Sequence, residues 1–241
     1  MNINNFLERT SVRDFTGETM SKKDIELITS VINNAPTSTN TQQFSAIIVT
    51  DKKKLDWIGT KNWNQQHIKD ASAFIIFVAD RTRVNYIKKQ FEVDETPKMK
   101  KHEFFRATID ATIAATFAMD ALIEMGYGTT MVGGLYAFAD ELAKEINLPD
   151  ENFVVVGLSV GKIKAKNAVK PKMQKVFLEK YDAKVACEEV EKYHDATIEE
   201  FTSRGTKPWK DAVAKMASRS SYTPAFEAAG DYVIKKYENM D

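Results

Sequence analysis

The fold is decided by one long apolar stretch in the middle of the chain, residues 103–125, which reads EFFRATIDATIAATFAMDALIEM. Large apolar side chains recur in it at helical spacing, including Phe105, Ile109, Ile113 and Phe117. Alanines occupy many of the positions between them, and alanines allow neighbouring helices to approach closely. A helix that is apolar on several sides is usually buried. The stretch therefore predicts a helix at the centre of the domain. A subunit interface is a further location that would bury such a helix.

Shorter segments on both sides of this helix predict an α+β fold. Residues 71–79 and 153–161 contain continuous apolar runs that are typical of interior strands, and residues 44–50 predict a third strand. The N-cap residue Ser21 and helical spacing predict a helix over residues 21–32. The remaining segments are predicted to be a helix or loop at 52–61, a charged surface excursion at 81–101, a short helix at 138–146 and a charged helical tail from about residue 181.

The composition excludes several classes of protein. Lys and Arg number 34, as do Asp and Glu, so the net charge is zero, whereas non-specific nucleic-acid binding depends on excess positive charge. The single cysteine, Cys187, excludes an intrachain disulfide framework and suits a reducing compartment. The first ten residues hold no signal-peptide run, and no window approaches the roughly 18 apolar residues of a membrane span. We therefore expect a cytoplasmic protein that binds neither nucleic acid nor membrane.

Residues 9–15, RTSVRDF, carry the clearest indication of chemistry. In an extended segment, alternation places Arg9, Ser11, Arg13 and Phe15 on one side. Two guanidiniums with a hydroxyl between them suit an anionic ligand that is rich in oxygen, because arginine offers a fixed charge and a planar fork of donors. The alternative is a basic, solvated start of the chain.

Residues 37–43, TSTNTQQ, consist only of hydroxyl and amide side chains. Such a run forms either an ordinary polar loop or a cradle whose short neutral groups hydrogen-bond the edge of a heteroaromatic ligand.

Other motifs do not support a nucleotide, metal or nucleophile site. GLSVGKI at residues 157–163 has glycines one residue too close for a P-loop, and Ile163 stands where Ser or Thr must bind magnesium. GYG at 126–128 lacks the third glycine of a dinucleotide fingerprint. None of the three histidines has a second ligand at zinc-site spacing, and His67 is interpreted as a surface or packing residue. The acidic neighbours of Cys187 disfavour a thiolate. So few catalytic groups indicate that a cofactor performs the chemistry.

Four stretches together resemble the FMN-dependent nitroreductase family, in its larger branch of NADPH-dependent nitroreductases and flavin reductases. Residues 9–15 resemble its Arg-x-Ser-x-Arg-x-Phe motif, and residues 35–42, APTSTNTQ, resemble its second flavin loop. VGGL at 132–135 is similar to the glycine turn after the family's central helix, and KPK at 170–172 to its phosphate clamp. The four motifs agree in order and spacing across nearly the whole chain.

The resemblance implies a set of cofactor-binding residues. Arg9, Lys170 and Lys172 would hold the FMN phosphate, and Arg13 would stabilise negative charge on the pyrimidine edge of the reduced flavin. The branch often has His-Arg at residues 9–10 and Arg at residue 172, where this chain has Arg-Thr and Lys. The other implied FMN contacts are Thr10, Ser11, Thr37, Ser38, Thr39, Asn40, Gln42, Gln65, Val132, Gly133 and Gly134.

The resemblance also implies an assembly and a site for the nicotinamide substrate. Arg204 matches an arginine that contacts the 2′-phosphate of NADPH in relatives, and Lys207 would assist it. Residues 1–241 would form a single nitroreductase-like FMN-binding domain with a mixed central sheet flanked by helices. Two such chains would form an intertwined homodimer, in which a C-terminal helical excursion, about residues 181–241, packs on the partner subunit.

The implied activity is a ping-pong cycle in which NADPH or NADH reduces bound FMN, and FMN reduces a small-molecule acceptor. Nitroaromatics, quinones and free flavin are acceptors of this kind, and no catalytic side chain beyond the flavin is required. Two alternatives stay open. A flavin reductase that supplies reduced FMN to a partner enzyme would use the same residues, and a flavin-storage protein would bind FMN without turnover of NAD(P)H.

Overall fold

The computed structural model describes residues 2–93, 101–203, 205–218, 231–232 and 235. The chain divides into two compact units, one of Met1–Asn167 with Ala225–Asp241 and the other of Ala168–Pro224. In chain order the elements are α1 (Ile3–Leu7), β1 (Asp14–Phe15), α2 (Lys22–Asn33), β2 (Phe44–Val49), α3 (Lys52–Lys61), α4 (Gln66–Lys69), β3 (Ala73–Ala79), α5 (Thr82–Gln90), α6 (Lys101–Glu124), β4 (Tyr127–Val132), α7 (Ala139–Glu145), β5 (Phe153–Ala165), α8 (Ala183–Ser203) and α9 (Trp209–Ala217). Short 3₁₀ helices occupy Ser38–Asn40 and Gly134–Phe138.

The first unit is built on a five-stranded sheet with the order β1-β5-β3-β2, in which β4 also pairs with β5. The apolar run of β3 is completely buried because β3 lies between β2 and β5. The interior strand predicted there is confirmed. All pairings among the described strands are antiparallel, so the parallel strand of the expected mixed sheet is not among them.

Helix α6 crosses the sheet and places its alanines, not its large side chains, against it. Ala107, Ala111 and Ala115 are fully buried in the core that β3 and β5 share with this helix. The large apolar residues form a stripe with a spacing of four on the outer side and are 38–57% exposed in this chain: Phe105, Ile109, Ile113 and Phe117. The predicted central helix is correct, but burial on several sides is not achieved within one chain.

Two segments differ from the sequence-based expectation. Residues 127–132 form β4, for which no strand is predicted, because its buried positions include the polar Thr129 and Thr130. The predicted surface excursion at 81–101 instead includes helix α5. It starts beside a fully buried Arg81, whose guanidinium lies 2.6 Å from the Glu103 carboxylate.

The second unit contains α8 and α9, in agreement with the helical tail predicted from the sequence. The rings of Tyr193 and Trp209 meet edge to face at 5.0 Å between centroids and join the two helices. Whether this tail packs on a partner subunit stays a prediction. None of the helices described is both long enough and apolar enough to cross a lipid bilayer.

Candidate functional site

The segment at residues 9–15 is anchored on the sheet through Val12. The Val12 amide donates to the carbonyl of Thr129 at 3.0 Å, and the Thr130 hydroxyl donates to the carbonyl of Val12 at 2.6 Å. The predicted alternation breaks between Asp14 and Phe15, where the register with β5 shifts. Phe15 is therefore buried while Arg13 stays exposed, and Arg13 is presented to solvent or to a ligand.

Two glycines outside the resemblance motifs let this segment pack closely on the sheet. A Cβ on Gly128 would lie 2.7 Å from Val12 Cγ1, and a Cβ on Gly161 would lie 2.5 Å from Phe15 Cγ. Both positions belong to the glycine patterns that first suggest a nucleotide site. Their role in this structure is to let the segment approach β4 and β5 closely.

Arg9 and Thr10 lie half-buried at the start of the segment. Burial raises the pKa of Asp120 on α6, and the nearby positive charge of Arg9 acts against that rise. The hydroxyl of Thr10 is buried and has no hydrogen-bond partner in the described chain. A buried hydroxyl without a partner is uncommon and costly, so this one fits a position that a bound group completes.

The loop at residues 37–42 is strained and tied to the central helix. Thr39, Asn40 and Gln42 have positive φ angles of 50°, 55° and 51°. Residues other than glycine rarely adopt this conformation, and such strain concentrates at ligand-binding sites. The Ser38 amide donates to Asp110 Oδ1 at 2.9 Å. Asp110 is fully buried on α6, which fixes the loop to the core.

Some polar groups of this loop form hydrogen bonds with one another. The Gln42 amide donates to the Thr37 hydroxyl at 3.2 Å, and the Gln42 side chain donates to Asn40 Oδ1 at 3.3 Å. These contacts hold the predicted flavin-binding side chains in one compact group. Their direct contact with FMN stays a prediction.

Residues 62–67 bring two of the motifs together. A Cβ on Gly134 would lie 2.3 Å from Asn62 Oδ1 and 2.3 Å from Trp63 Cζ3, so this segment packs directly on the glycine turn. Its other end carries His67, which lies close enough to Arg13 for the arginine charge to affect it. The segment therefore links the glycine turn to the arginine motif.

The two glycines of the turn differ in their surroundings. A Cβ on Gly134 would collide with Asn62 and Trp63, whereas a Cβ on Gly133 would meet nothing within 4 Å. Gly133 thus provides the open backbone that a planar ring can approach, and Gly134 is required by the protein's own packing. Val132, which precedes them, is buried at the end of β4.

His67 is buried, which agrees with a packing role and not with a surface one. Its Nε2 lies 2.5 Å from Oε1 of Gln65, the residue that the resemblance assigns to the flavin. Burial, together with the charge of Arg13, lowers the pKa of His67 to about 4. The ring is therefore neutral at pH 7.

The basic residues of the phosphate clamp lie in the second unit. Lys170 Nζ is 3.6 Å from Glu200 Oε1 and 5.4 Å from the centre of the Phe201 ring. Lys172 and Lys207 are exposed. Arg204, predicted to contact NADPH, lies outside the described residues. The roles of these four basic residues stay predictions.

Four residues of the site escape sequence reasoning: Asn62, Trp63, His67 and Asp110. Asn62 and Trp63 are recognisable only through their contact with Gly134. Asp110 stands between Ile109 and Ala111 in the middle of α6, and a carboxylate between apolar neighbours is the only signal that the sequence offers. Its contact with Ser38 joins residues that are 72 positions apart.

Comparison with known proteins identifies the class. The model of the nitroreductase family matches residues 7–162, which is more than half of the chain, so the chain belongs to the nitroreductase family. Among its relatives, the "FMN reductase [NAD(P)H]" of Bacillus subtilis (strain 168) is 24% identical over 231 residues, covering 91% of this chain and 92% of that protein. The "CR(VI) reductase" of Pseudomonas sp. (strain G-1) is 29% identical over 164 residues, or 68% of this chain and 67% of that protein.

The solved structure of NfrA1 from B. megaterium aligns with a TM-score of 0.83 at 26% identity and covers 97% of each chain. The α+β nitroreductase-like fold and the resemblance to the NADPH-dependent nitroreductase and flavin reductase branch are both confirmed.

Proposed function

We propose that this protein passes hydride from NAD(P)H through bound FMN to small-molecule oxidants. Membership of the nitroreductase family, with relatives named as FMN and Cr(VI) reductases, makes the chain an NAD(P)H-dependent flavin oxidoreductase that uses FMN. The observation that carries the assignment to this site is the segment at residues 62–67. One end of it packs on Gly134, next to the open Gly133, and its other end carries His67, which feels the charge of Arg13. These contacts support a site that offers both a cation and an accessible backbone.

The residues present fit FMN. Bound FMN supplies the exchange of hydride between the nicotinamide and the oxidant. Arg13 contributes a fixed positive charge that stabilises negative charge on a flavin. Gly133 lets the backbone approach a planar ring, and the unpartnered hydroxyl of Thr10 offers a hydrogen bond.

The phosphate and ribityl contacts belong to the proposal as well. Arg9 supports phosphate binding by its charge, and the motif resemblance supports the same role for Lys170 and Lys172. The hydroxyl and amide groups near Arg9 and on the strained loop supply neutral hydrogen bonds to the flavin. These residues are Ser11, Thr37, Ser38, Thr39, Asn40 and Gln42.

The acceptors we propose are nitroaromatics, quinones, free flavin and similar oxidants. The names of the two relatives support free flavin and an oxidised metal as members of this set. We propose a ping-pong order, in which NAD(P)H leaves before the oxidant binds. Initial-rate plots at several NADPH concentrations should then give parallel lines, and intersecting lines would count against this order.

A homodimer completes the proposal. The outer stripe of α6 exposes four large apolar side chains in one row, a pattern that marks interaction surfaces. Covering the stripe with a second copy would remove these side chains from water. Because each is already about half-buried, the stabilisation is about half of the roughly 1.5–3 kcal/mol for burying a fully exposed side chain. We also keep the proposal of a cytoplasmic protein, which the lone Cys187 supports.

The second candidate is a flavin reductase that delivers reduced FMN to another enzyme, which the name of the B. subtilis relative favours. Gel filtration of the loaded protein separates the two functions. FMN that stays bound supports the oxidoreductase with resident FMN, and FMN that exchanges readily supports delivery.

A further inference from the structure

His67 is a buried polar residue that the proposed function leaves unused. His67 is only 6% exposed, and its backbone carbonyl accepts a hydrogen bond from Ser159 Oγ at 2.9 Å. Ser159 lies on β5, so the sheet anchors the backbone of His67. The ring in turn contacts Gln65, with Nε2 2.5 Å from Oε1.

The environment of His67 selects one tautomer. Nδ1 is buried and has no hydrogen-bond partner in the described residues. A proton there would be a buried donor without an acceptor, and the nearby charge of Arg13 would oppose it. When Nδ1 carries no proton, the positive charge of the Arg13 guanidinium instead stabilises its lone pair. The proton of the neutral ring therefore resides on Nε2, which donates to Gln65 Oε1.

This hydrogen bond fixes the orientation of the Gln65 amide. Because the oxygen of Gln65 accepts from His67, its NH₂ group must point away from the ring. No hydrogen bond joins that nitrogen to the described part of the chain, and Gln65 is half-buried. Gln65 precedes α4 at the N-cap position but makes no side-chain cap, so α4 does not compete for the amide.

We propose that His67 is a positioning residue that holds Gln65 with its NH₂ group directed at an acceptor atom of the flavin ring. The inference rests on the proposed function, because FMN supplies the acceptor. Without the imidazole donor, the amide can rotate by half a turn and present its oxygen, which repels an acceptor. His67 would thus act on FMN only through Gln65.

The test is a double-mutant cycle with His67→Phe and Gln65→Met, read as the dissociation constant of FMN from titration of the apoprotein. Loss of one hydrogen bond should weaken FMN binding by about 3- to 10-fold in His67→Phe. In the Gln65→Met background the same change should have no further effect, because the amide it orients is absent. Equal effects in both backgrounds would show a purely structural role and overturn the proposal.

Two further measurements guard the interpretation. His67→Gln keeps an N–H donor near the position of Nε2 and should bind FMN within about 2-fold of wild type, a change smaller than that of one hydrogen bond. Binding as weak as in His67→Phe would overturn the proposal. The ¹⁵N NMR shifts of the His67 ring should report the Nε2–H tautomer, and the Nδ1–H tautomer would also overturn it. Wild-type protein that binds no FMN would instead overturn the proposed function.

Discussion

The two glycines of the 133–134 turn give the sharpest prediction, because the structure assigns them opposite surroundings. An added Cβ at Gly134 would lie 2.3 Å from both Asn62 Oδ1 and Trp63 Cζ3, far inside van der Waals contact. Trp63 is 49% exposed and can move aside, whereas Asn62 is completely buried and cannot. Overpacking of this kind costs about 1–3 kcal/mol. We expect Gly134→Ala to lower the free energy of unfolding by that amount.

Gly133→Ala is the matched control. Its Cβ meets no atom within 4 Å, and its φ of −88° suits alanine. The apoprotein should therefore keep its stability or gain about 0.4–1 kcal/mol from a less flexible unfolded chain. FMN binding should nevertheless weaken, because the added methyl group occupies the space we assign to the ring.

Denaturant unfolding of the apoproteins and FMN titrations measure the two effects separately. We expect a stability defect in Gly134→Ala and a binding defect without a stability defect in Gly133→Ala. If Gly133→Ala bound FMN as tightly as wild type, the flavin would not lie against this turn. Unchanged stability in Gly134→Ala would refute the packing of Asn62 and Trp63 on it.

Four further predictions follow from named contacts. Because the pKa of His67 falls from 6.5 to about 4 on folding, at pH 5 the unfolded chain binds a proton that the folded chain excludes. Lowering the pH from 7 to 5 should therefore reduce the free energy of unfolding of wild type by about 2 kcal/mol more than that of His67→Gln, measured by urea unfolding. The same loss in both proteins would contradict this prediction. Asp110→Ala should release the loop at residues 37–42 and weaken FMN binding several-fold. Asp110→Asn keeps an acceptor oxygen for the Ser38 amide and should bind FMN nearly as tightly as wild type. Equal binding by the two variants would exclude Asp110 as the anchor of the loop. Ile113→Glu should give a monomer in gel filtration, since it puts a charge in the exposed stripe of α6, and a persistent dimer would place the interface elsewhere. Arg204→Ala should raise the KM for NADPH far more than that for NADH, with the exposed Lys215→Ala as control, and equal changes for the two nucleotides would remove this role.

Much of the fold follows from local patterns. The length and position of α6, the interior strand β3 and the N-cap of α2 by Ser21, which accepts from the Asp24 amide at 3.1 Å, are all evident in the sequence. These features depend on apolar spacing and on capping chemistry, which are local properties. The face that α6 turns to the sheet is not evident, because small and large apolar residues give the same periodicity and only the sheet selects the alanines.

The candidate site also contains some residues that the sequence reveals and others that it does not. The arginine motif, the polar loop and the glycine turn are recognisable because each occupies a continuous stretch. The residues between them are not, since Asn62, Trp63 and His67 matter through contacts with distant segments. Trp63 and Asn64 in this segment have positive φ angles of 51° and 56°. Asn tolerates this conformation, but nothing in the sequence indicates it for Trp63.

The central claim is that this chain binds FMN and reduces it with NAD(P)H. The most direct measurement is the visible absorption spectrum of the purified protein, supplemented with FMN, during anaerobic addition of NADPH. The account predicts bound flavin bands that bleach promptly and return when an oxidant is added. Flavin that binds but does not bleach with NADPH or NADH would indicate a storage protein, and a protein that cannot be loaded with FMN would contradict the account altogether.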